Sequence, residues 1–194
     1  MENRGIAIDR NQLEQFGIML SQRIDDCEKL IYSYSDGVFN INSTKQLGEL
    51  LFDKLGLPPV KKTKTGYSTG AEILEELEDS HPIIPLILKY RQLQKLVSTY
   101  VDGFKPLIDR NTGLIHTVFN QAVTSTGRLS SKEPNLQNIP VRDDEGKEIR
   151  KFFIPASSER VLVGADYSQI ELRLLAHYSN CKPLVEAFNN EVDI

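Results

Sequence analysis

The sequence predicts a mixed α+β fold in which a helical region precedes a smaller region that contains a sheet. Apolar residues recur at steps of three and four from Ile6 to about Ile108, which is the spacing of one helix face. From Leu114 to Asn120 the pattern changes to the alternation typical of a strand. A short apolar run, Val161 to Ala165, is typical of a buried strand. We therefore predict a helical domain at 1–108 and an α+β domain at 109–194.

The composition is that of an ordinary globular protein. The chain has 194 residues, of which 40% are apolar and 26% are charged, so a sizeable core is expected. Its apolar runs are far shorter than the roughly 20 residues that cross a membrane, and no secretory leader is recognisable. Cys27 and Cys181 have neither a metal-binding spacing nor the pattern of a disulfide framework. We expect a reducing, cytoplasmic setting and no membrane partner.

The net charge argues against a surface coated in positive charge. The 23 basic residues are outnumbered by 27 acidic ones, giving a net charge of −4. This balance argues against non-specific binding of polyanions by the whole surface. A local basic patch can still bind nucleic acid, because charges act within a Debye length of roughly 8 Å.

The first two helices carry clear start and stop signals. Asp9 and Gln12 have the spacing of an N-cap and its partner, and Asp36-Gly37 ends the helix. A second helix is predicted from Ser43, with Gln46 as its partner, to Gly56. The apolar face of the first helix consists of Leu13, Phe16, Leu20, Ile24, Cys27, Ile31 and Tyr34.

Two further helices are predicted in the first half. Thr69 and Glu72 have the spacing of a capping box for a short acidic helix. A long helix begins at Pro82, since proline fits the first helical turn. Its predicted core face consists of Leu86, Tyr90, Leu93, Val97, Tyr100 and Phe104.

The second half mixes strands, turns and one further capped helix. A turn-rich segment over 124–144 precedes a predicted strand at about 150–154. The buried strand at 161–165 ends in Asp166, and Ser168 with Glu171 predicts a capped helix immediately afterwards. Its inner face is predicted to consist of Ile170, Leu174 and either His177 or Tyr178.

Asp166 is a candidate metal ligand. A carboxylate at the rim of a sheet suits a hard cation such as Mg²⁺, and the Tyr167 carbonyl could supply a second oxygen. The simpler interpretation is an aspartate that starts a turn before a capped helix, and spacing alone favours it. A histidine-based zinc site is excluded because no two histidines share a ligand spacing. Nucleophile-elbow, P-loop and dinucleotide-binding motifs are absent from the sequence.

Two polar segments are candidates for contact with nucleic acid. Residues 126–140 combine amides, hydroxyls and Arg128, which suit phosphate and minor-groove contacts. Residues 61–70 contain three lysines and five hydroxyl side chains but no acid, as a phosphate clamp would. For both segments a plain solvated loop is the alternative, and the residue pattern alone favours it.

Two long motifs resemble a known family. The segment Thr126-Gly-Arg-Leu-Ser-Ser-Lys-Glu-Pro-Asn-Leu-Gln-Asn-Ile-Pro-Val-Arg142 resembles the signature that precedes the catalytic strand of family A DNA polymerases. Val163-Gly-Ala-Asp-Tyr-Ser-Gln-Ile-Glu-Leu-Arg-Leu-Leu-Ala-His177 resembles motif A of that family. The similarity is to members of the bacterial DNA polymerase I type, and the helical half is similar to their thumb, including the Lys-Thr-Gly-Tyr-Ser-Thr tip. It implies a thumb at 1–108 and the first part of a palm, with a small, mostly antiparallel sheet, at 109–194.

The resemblance also implies roles for individual residues. Asp166 would be one of two carboxylates that hold two catalytic Mg²⁺ ions, with the Tyr167 carbonyl as a further ligand. The incoming dNTP would lie against Gln169, Ile170 and Glu171, and Glu171 would wall the sugar pocket. Arg173 would organise this site rather than bind substrate. Contacts with primer–template DNA would come from Arg128, Asn135, Gln137, Asn138, Arg142, Lys61, Lys62, Lys64, Thr65, Ser68 and Lys95.

The same resemblance implies that essential parts of a polymerase are missing. The fingers and the second metal-binding carboxylate have no counterpart in the sequence, which suggests a fragment. We expect a DNA-directed DNA polymerase of replication and repair whose isolated fragment is inactive. The expected partners are primer–template DNA and dNTP, with no obligate protein partner and a bacterial, nucleoid-associated location. The alternative is a non-catalytic module that grips duplex DNA, and Mg²⁺-dependent nucleotide binding separates the two.

Overall fold

The computed structural model describes residues 1–60, 62–63, 66–141, 143–190 and 192. These divide into two compact units, Met1–Ser158 and Glu159–Ile194. Within the described residues, helices combine with small antiparallel sheets, so the predicted mixed fold class is confirmed. In the same part of the chain no helix is both long and apolar enough to cross a membrane.

Helix α1 (Arg10–Tyr32) begins where the sequence predicts. The Gln12 backbone N–H donates to Asp9 Oδ1 at 3.0 Å, and the Gln12 side chain donates to Asp9 Oδ2 at 2.9 Å. These bonds satisfy a backbone donor that the first helical turn leaves unpaired. The predicted apolar face is buried at Leu13, Phe16, Leu20, Ile24 and Ile31.

Helix α2 (Thr44–Gly48) is capped by Ser43 as predicted and continues as a π-helical segment, Glu49–Lys54. After it, β2 (Lys62–Thr63) and β3 (Gly66–Tyr67) form an antiparallel hairpin.

The N-cap of helix α3 (Ala71–Glu75) lies one residue later than predicted. Its N-cap is Gly70, so the capping role assigned to Thr69 is wrong. The buried Thr69 side chain instead accepts a hydrogen bond from Arg91 at 3.2 Å, and the Thr69 carbonyl accepts a second one from the same guanidinium. The Thr69 hydroxyl, which the local spacing assigned to the helix cap, is thus used in a tertiary hydrogen bond with Arg91. A 3₁₀ turn, Glu78–Ser80, follows.

Helix α4 (Ile83–Leu96) packs against α1 and forms the centre of the core. It continues as a π-helical segment, Val97–Val101, then as α5 (Asp102–Phe104) and a 3₁₀ turn, Lys105–Leu107. The predicted core face is correct at Tyr90, Leu93, Tyr100 and Phe104. Leu86 and Val97 are only partly buried, but they pack against the same core. The prediction missed three fully buried residues of this helix, Ile83, Ile84 and Ile87.

A three-stranded antiparallel sheet joins distant parts of the first unit. Strand β1 (Ile6–Ile8) lies between β4 (Leu114–Ile115) and β7 (Phe153–Ile154). The helical interpretation from Ile6 onward is therefore wrong for β1, since three residues are too short to reveal a period. The domain boundary at 108/109 stays a prediction, although this sheet draws strands from both sides of it.

The rest of the first unit consists of a hairpin and a helix. Strands β5 (Val118–Asn120) and β6 (Ser130–Lys132) pair in antiparallel fashion. Helix α6 (Asp144–Lys151) lies just before β7. The predicted strand at 150–154 is therefore correct only at its end, because Arg150 and Lys151 complete this helix.

The second unit contains α7 (Ile170–Ser179) and α8 (Lys182–Asn189), which pack against each other. The predicted strand at 161–165 does not form, and these residues are exposed. A strand is stable only beside a hydrogen-bonded neighbour, and the described residues of this unit provide none.

Two details of the predicted helix after Asp166 are also wrong. The N-cap of α7 is Gln169 in a left-handed conformation, so Ser168 and Glu171 form no capping box. Of the residues in α7, Ala176 is the buried one, while Ile170, Leu174, His177 and Tyr178 are exposed. The apolar spacing predicted the helix correctly. It could not predict whether another element buries the apolar face of this helix.

Candidate nucleic-acid interface

The loop that follows β6 is folded around the side chain of Ser131. This side chain is buried, donates from Oγ to Asn135 Oδ1 at 3.2 Å, and accepts from the Leu136 N–H at 3.1 Å. Asn135 Oδ1 also accepts from the Gln137 N–H at 3.0 Å. Asn135 is therefore held by its oxygen, which fixes the direction of its amide group.

Gln137 closes the same loop from the other side. Its side-chain oxygen accepts from the Ser131 N–H at 3.0 Å, and its side-chain nitrogen donates to the Leu129 carbonyl at 3.1 Å. Both polar atoms of Gln137 are thus used inside the loop, which makes it a residue that organises the segment. Its contact with DNA stays a prediction.

Three side chains outside the loop hold its backbone. Thr117 Oγ1 lies 3.0 Å from the Lys132 carbonyl and 2.7 Å from the Pro134 carbonyl. Arg150 donates to the carbonyls of residues 139 and 140 at 3.2 and 3.3 Å. The Tyr100 hydroxyl donates to the Asn138 carbonyl at 2.5 Å. Sequence reasoning assigned no function to these three residues, because a partner that is a backbone carbonyl leaves no mark in a residue pattern.

A cleft of about 360 Å³ lies between this loop and the helix formed by α4 and its π-helical extension. Three residues predicted to bind DNA line it, namely Lys95, Asn135 and Asn138. The structure therefore brings one lysine and two asparagines to the same cleft from segments 40 residues or more apart in the sequence. The cleft is also lined by Gln92, Leu96, Thr99, Tyr100, Phe104, Pro134, Pro140 and Asp143.

Arg128 lies at the other end of the loop and is not one of the residues that line the cleft. It is exposed, and its carbonyl accepts from Thr124 Oγ1 at 2.6 Å. The preceding residue, Gly127, has a φ of +73°, which a side chain rarely tolerates. Arg142 lies outside the described residues.

Two further predicted contacts, Lys62 and Ser68, lie in or directly after the hairpin of β2 and β3. Ser68 lines a cavity of about 640 Å³ together with Lys45, which sequence reasoning missed, and the acidic residues Glu49 and Asp53. The Tyr67 hydroxyl donates to Asp53 at 2.6 Å, and this hydrogen bond raises the pKa of Tyr67. Lys62 lies in β2, opposite Tyr67. Lys61, Lys64 and Thr65 lie outside the described residues.

The second unit contains the segment from Asp166 to Glu171. Asp166 and Tyr167 are exposed and precede α7 directly. Arg173 Nε donates to the Ser168 carbonyl at 3.0 Å, and its guanidinium lies 4.6 Å from the centroid of the Phe188 ring. Arg173 thus ties the turn before α7 to α8, and its role in organising a dNTP site stays a prediction.

The oxygen donors of this segment are of the type that Mg²⁺ prefers. The Asp166 carboxylate and the Tyr167 carbonyl could serve as ligands to such an ion. Among the residues that the structure describes, however, no group of three His, Cys, Asp or Glu side chains is arranged to hold a metal ion. The segment therefore matches Mg²⁺ in the kind of donor, and its role as a ligand stays a prediction.

A comparison with protein families decides the assignment of the chain. The model of DNA polymerase family A matches residues 10–194. The chain belongs to this family. As a family A polymerase chain, it is 53% identical over 194 residues to DNA polymerase I of Geobacillus stearothermophilus and 54% identical to that of Caldicellulosiruptor bescii. Each match covers all of this chain and 22% and 23% of the respective relative, so the chain spans about a fifth of their length.

A solved structure is similar along nearly the whole chain. It is described as the POL domain of Pol1 from M. smegmatis in complex with DNA primer-template and dNTP. The TM-score is 0.83 at 42% sequence identity, over 98% of this chain and 34% of that one. The family A fold is therefore shared by the helical and the sheet-containing parts.

Proposed function

We propose that this chain is a part of a DNA-directed DNA polymerase that grips primer–template duplex DNA and contributes one carboxylate to a metal-dependent nucleotidyl-transfer centre. The observation that carries the proposal is the cleft that gathers Lys95, Asn135 and Asn138. The solved relative in complex with primer-template and dNTP supports the same ligands for this chain.

Two kinds of side chain in the proposed interface suit duplex DNA, namely lysines for the phosphates and amides for the minor groove. Lysines neutralise phosphates irrespective of sequence, as Lys95 and the lysines at 61, 62 and 64 would do. Amide donors such as those of Asn135 and Asn138 match the N3 and O2 acceptors that every base pair presents in the minor groove. Arg128, Arg142, Gln137, Thr65 and Ser68 complete the proposed DNA contacts.

The Asp166 segment would serve the chemical step. Asp166 and the Tyr167 carbonyl would hold Mg²⁺, which supplies activation of the primer 3′-hydroxyl and neutralises charge on the triphosphate. Gln169, Ile170 and Glu171 would line the dNTP site, and the Glu171 carboxylate would disfavour a ribose 2′-hydroxyl. We expect that the 194-residue chain alone does not polymerise DNA, because the donors assigned to Mg²⁺ include one carboxylate, Asp166, where the family resemblance implies two.

An incorporation assay tests this inactivity. Purified chain, primer–template, dNTPs and Mg²⁺ should give no extension of the primer beyond that of a sample without protein. Template-directed extension would overturn the proposed inactivity. Mg²⁺-dependent dNTP binding without extension would favour a polymerase fragment over a module that only grips duplex.

A binding titration of primer–template DNA at several salt concentrations tests the grip. Each phosphate contact contributes about 0.9 to the slope of log K against log salt. We expect salt-dependent binding, and a slope shallower by about two to three when Lys61, Lys62 and Lys64 are changed to alanine. Binding without this loss of slope would contradict the clamp at 61–64, and no binding at low salt would contradict the grip.

The matched control changes three other lysines to alanine. Lys29, Lys105 and Lys147 are exposed, and each pairs with an aspartate three residues earlier. The two triple variants have the same net charge, so a general charge effect would change both slopes equally. Only the variant at 61, 62 and 64 is expected to bind with a shallower slope.

A further inference from the structure

The cleft residue Asn138 is held in place by a tyrosine from the facing helix. The Tyr100 hydroxyl donates to the Asn138 carbonyl at 2.5 Å. The other two anchors of the loop, Thr117 and Arg150, hold carbonyls of residues to which no contact with DNA is assigned. Tyr100 is therefore the anchor that acts directly on a proposed DNA-binding residue.

The ring of Tyr100 is held by packing in addition to the hydrogen bond of its hydroxyl. The side chain is 4% exposed, and its ring packs edge-to-face against Phe104 with centroids 5.6 Å apart. Phe104 packs in the same way against Phe153 of β7 at 5.9 Å. These ring contacts connect Tyr100 to the three-stranded sheet and restrict the position of its side chain, including the hydroxyl.

The local helix geometry places Tyr100 beside the other cleft residues. It lies in the π-helical segment that directly follows α4, the helix that carries Lys95. Such segments widen the helix by one residue and are frequent at functional sites. A tyrosine hydroxyl is protonated at neutral pH, and burial raises the pKa of Tyr100 further, so the hydroxyl is available as a hydrogen-bond donor.

We infer that Tyr100 is a positioning residue for DNA binding, whose hydroxyl fixes the Asn138 backbone so that the Asn138 amide meets the minor groove of the duplex. The inference rests on the proposed function of the cleft. Tyr100 itself is not assigned a contact with DNA. Tyr100 affects DNA binding by holding Asn138, whereas Lys95, which lines the same cleft, is proposed to contact the DNA directly.

The variant Tyr100→Phe removes the hydroxyl and keeps the ring. Its matched control is Tyr90→Phe, because Tyr90 is 2% exposed, lies on α4, and accepts hydrogen bonds from Asn42 and Gln94 rather than holding the loop. Without DNA, the amides of residues 136–139 should exchange hydrogen at least about threefold faster in Tyr100→Phe than in Tyr90→Phe. Equal exchange in the two variants would overturn the inference.

A duplex with 3-deazaadenine near the primer end tests the effect on binding, because this base lacks the minor-groove N3 acceptor. On ordinary DNA, Tyr100→Phe should bind about threefold to tenfold more weakly than the unchanged chain, with the same salt slope. On the modified duplex the difference between the two proteins should shrink. Tyr90→Phe should bind both duplexes like the unchanged chain.

The outcomes separate the inference from the proposed function. If the unchanged chain discriminates against 3-deazaadenine and Tyr100→Phe does so equally, the positioning role is overturned while the proposed grip stands. If the unchanged chain does not bind DNA, or binds both duplexes equally, the assigned minor-groove contact is overturned. Hydrogen exchange then still decides whether the hydroxyl orders the loop.

Discussion

At the scale of single residues, Glu145 joins three helices of the first unit. This nine-tenths buried glutamate of α6 accepts from Lys89 of α4 and from Arg23 of α1, each at 2.8 Å. The hydrogen bond from Lys89 is the largest cause that lowers the pKa of Glu145 from its ordinary value of 4.5 to about 2. A carboxylate that is bound in this way stabilises the fold only while it is ionised.

Changing Glu145 to glutamine should destabilise the chain by about 3 kcal/mol at pH 7, which is the size of the pKa shift converted to free energy. Because the folded-state pKa lies below the unfolded one, the contribution is complete above about pH 5. It should disappear as the pH falls from about 5 towards 2. Urea unfolding of both proteins across this pH range measures the difference.

Glu148→Gln is the control for this pH dependence. Glu148 also lies on α6 and pairs with Lys151, but this pair is exposed to solvent. Exposed pairs contribute about 0–1 kcal/mol, so its loss should have little effect at any pH. A difference between Glu145→Gln and the unchanged chain that persists unaltered at pH 2 would contradict the assignment.

At the scale of elements, α6 packs closely against the end of the polar loop through Gly146. A Cβ atom at this position would lie 2.5 Å from Pro140 Cβ and 2.7 Å from Asp143 Oδ1. Real Cβ atoms do not approach so closely, so either the helix or the loop would have to move. The absence of a side chain at Gly146 thus lets the loop that carries Asn138 pass over the helix.

The substitution Gly146→Ala should therefore destabilise the chain by about 1–3 kcal/mol through overpacking. Helix propensity alone would favour alanine by about 1 kcal/mol, so the sign of the change separates the two effects. The free energy of unfolding in urea is the measurement. Gly164→Ala is the control, since a Cβ there meets nothing within 4 Å and should be neutral or slightly stabilising.

At the scale of the whole molecule, the second unit exposes an uncharged apolar segment. Val161, Leu162 and Val163 are 79%, 55% and 85% exposed, and no strand lies beside them in the described part of this unit. Extended apolar backbone without a neighbour is a template for pairing with another chain. Self-association through 161–165 is the expected consequence.

The double substitution Val161→Lys and Val163→Lys should reduce this self-association. Light scattering over a range of protein concentrations should give a lower average mass than for the unchanged chain, because two positive charges oppose edge-to-edge pairing. The control is Val38→Lys with Val123→Lys, which changes the charge equally at two exposed valines elsewhere. An equal drop in mass for both variants would mean that charge alone, rather than the segment, controls association.

The sequence by itself determined the features that depend on neighbours along the chain. The cap of α1 was predictable because Asp9 and Gln12 are three residues apart, and a side chain can reach a backbone donor at that distance without tertiary help. The family was also predictable, because two long ordered motifs record it directly. The residues proposed to bind DNA followed from those motifs and from the resemblance of the helical half to a thumb. Three of them, Lys95, Asn135 and Asn138, line one cleft.

Only the tertiary structure decided which groups find partners far along the chain. Thr69 lost its capping role to Arg91, and β1 formed because β4 and β7 border it. The segment 161–165 has strand-forming residues but no neighbour in the described part of its unit, so it remains exposed. Tyr100 and Gly146 support the cleft through a backbone carbonyl and through a missing side chain. Neither contact leaves a pattern in the sequence, because each depends on where a second segment comes to lie.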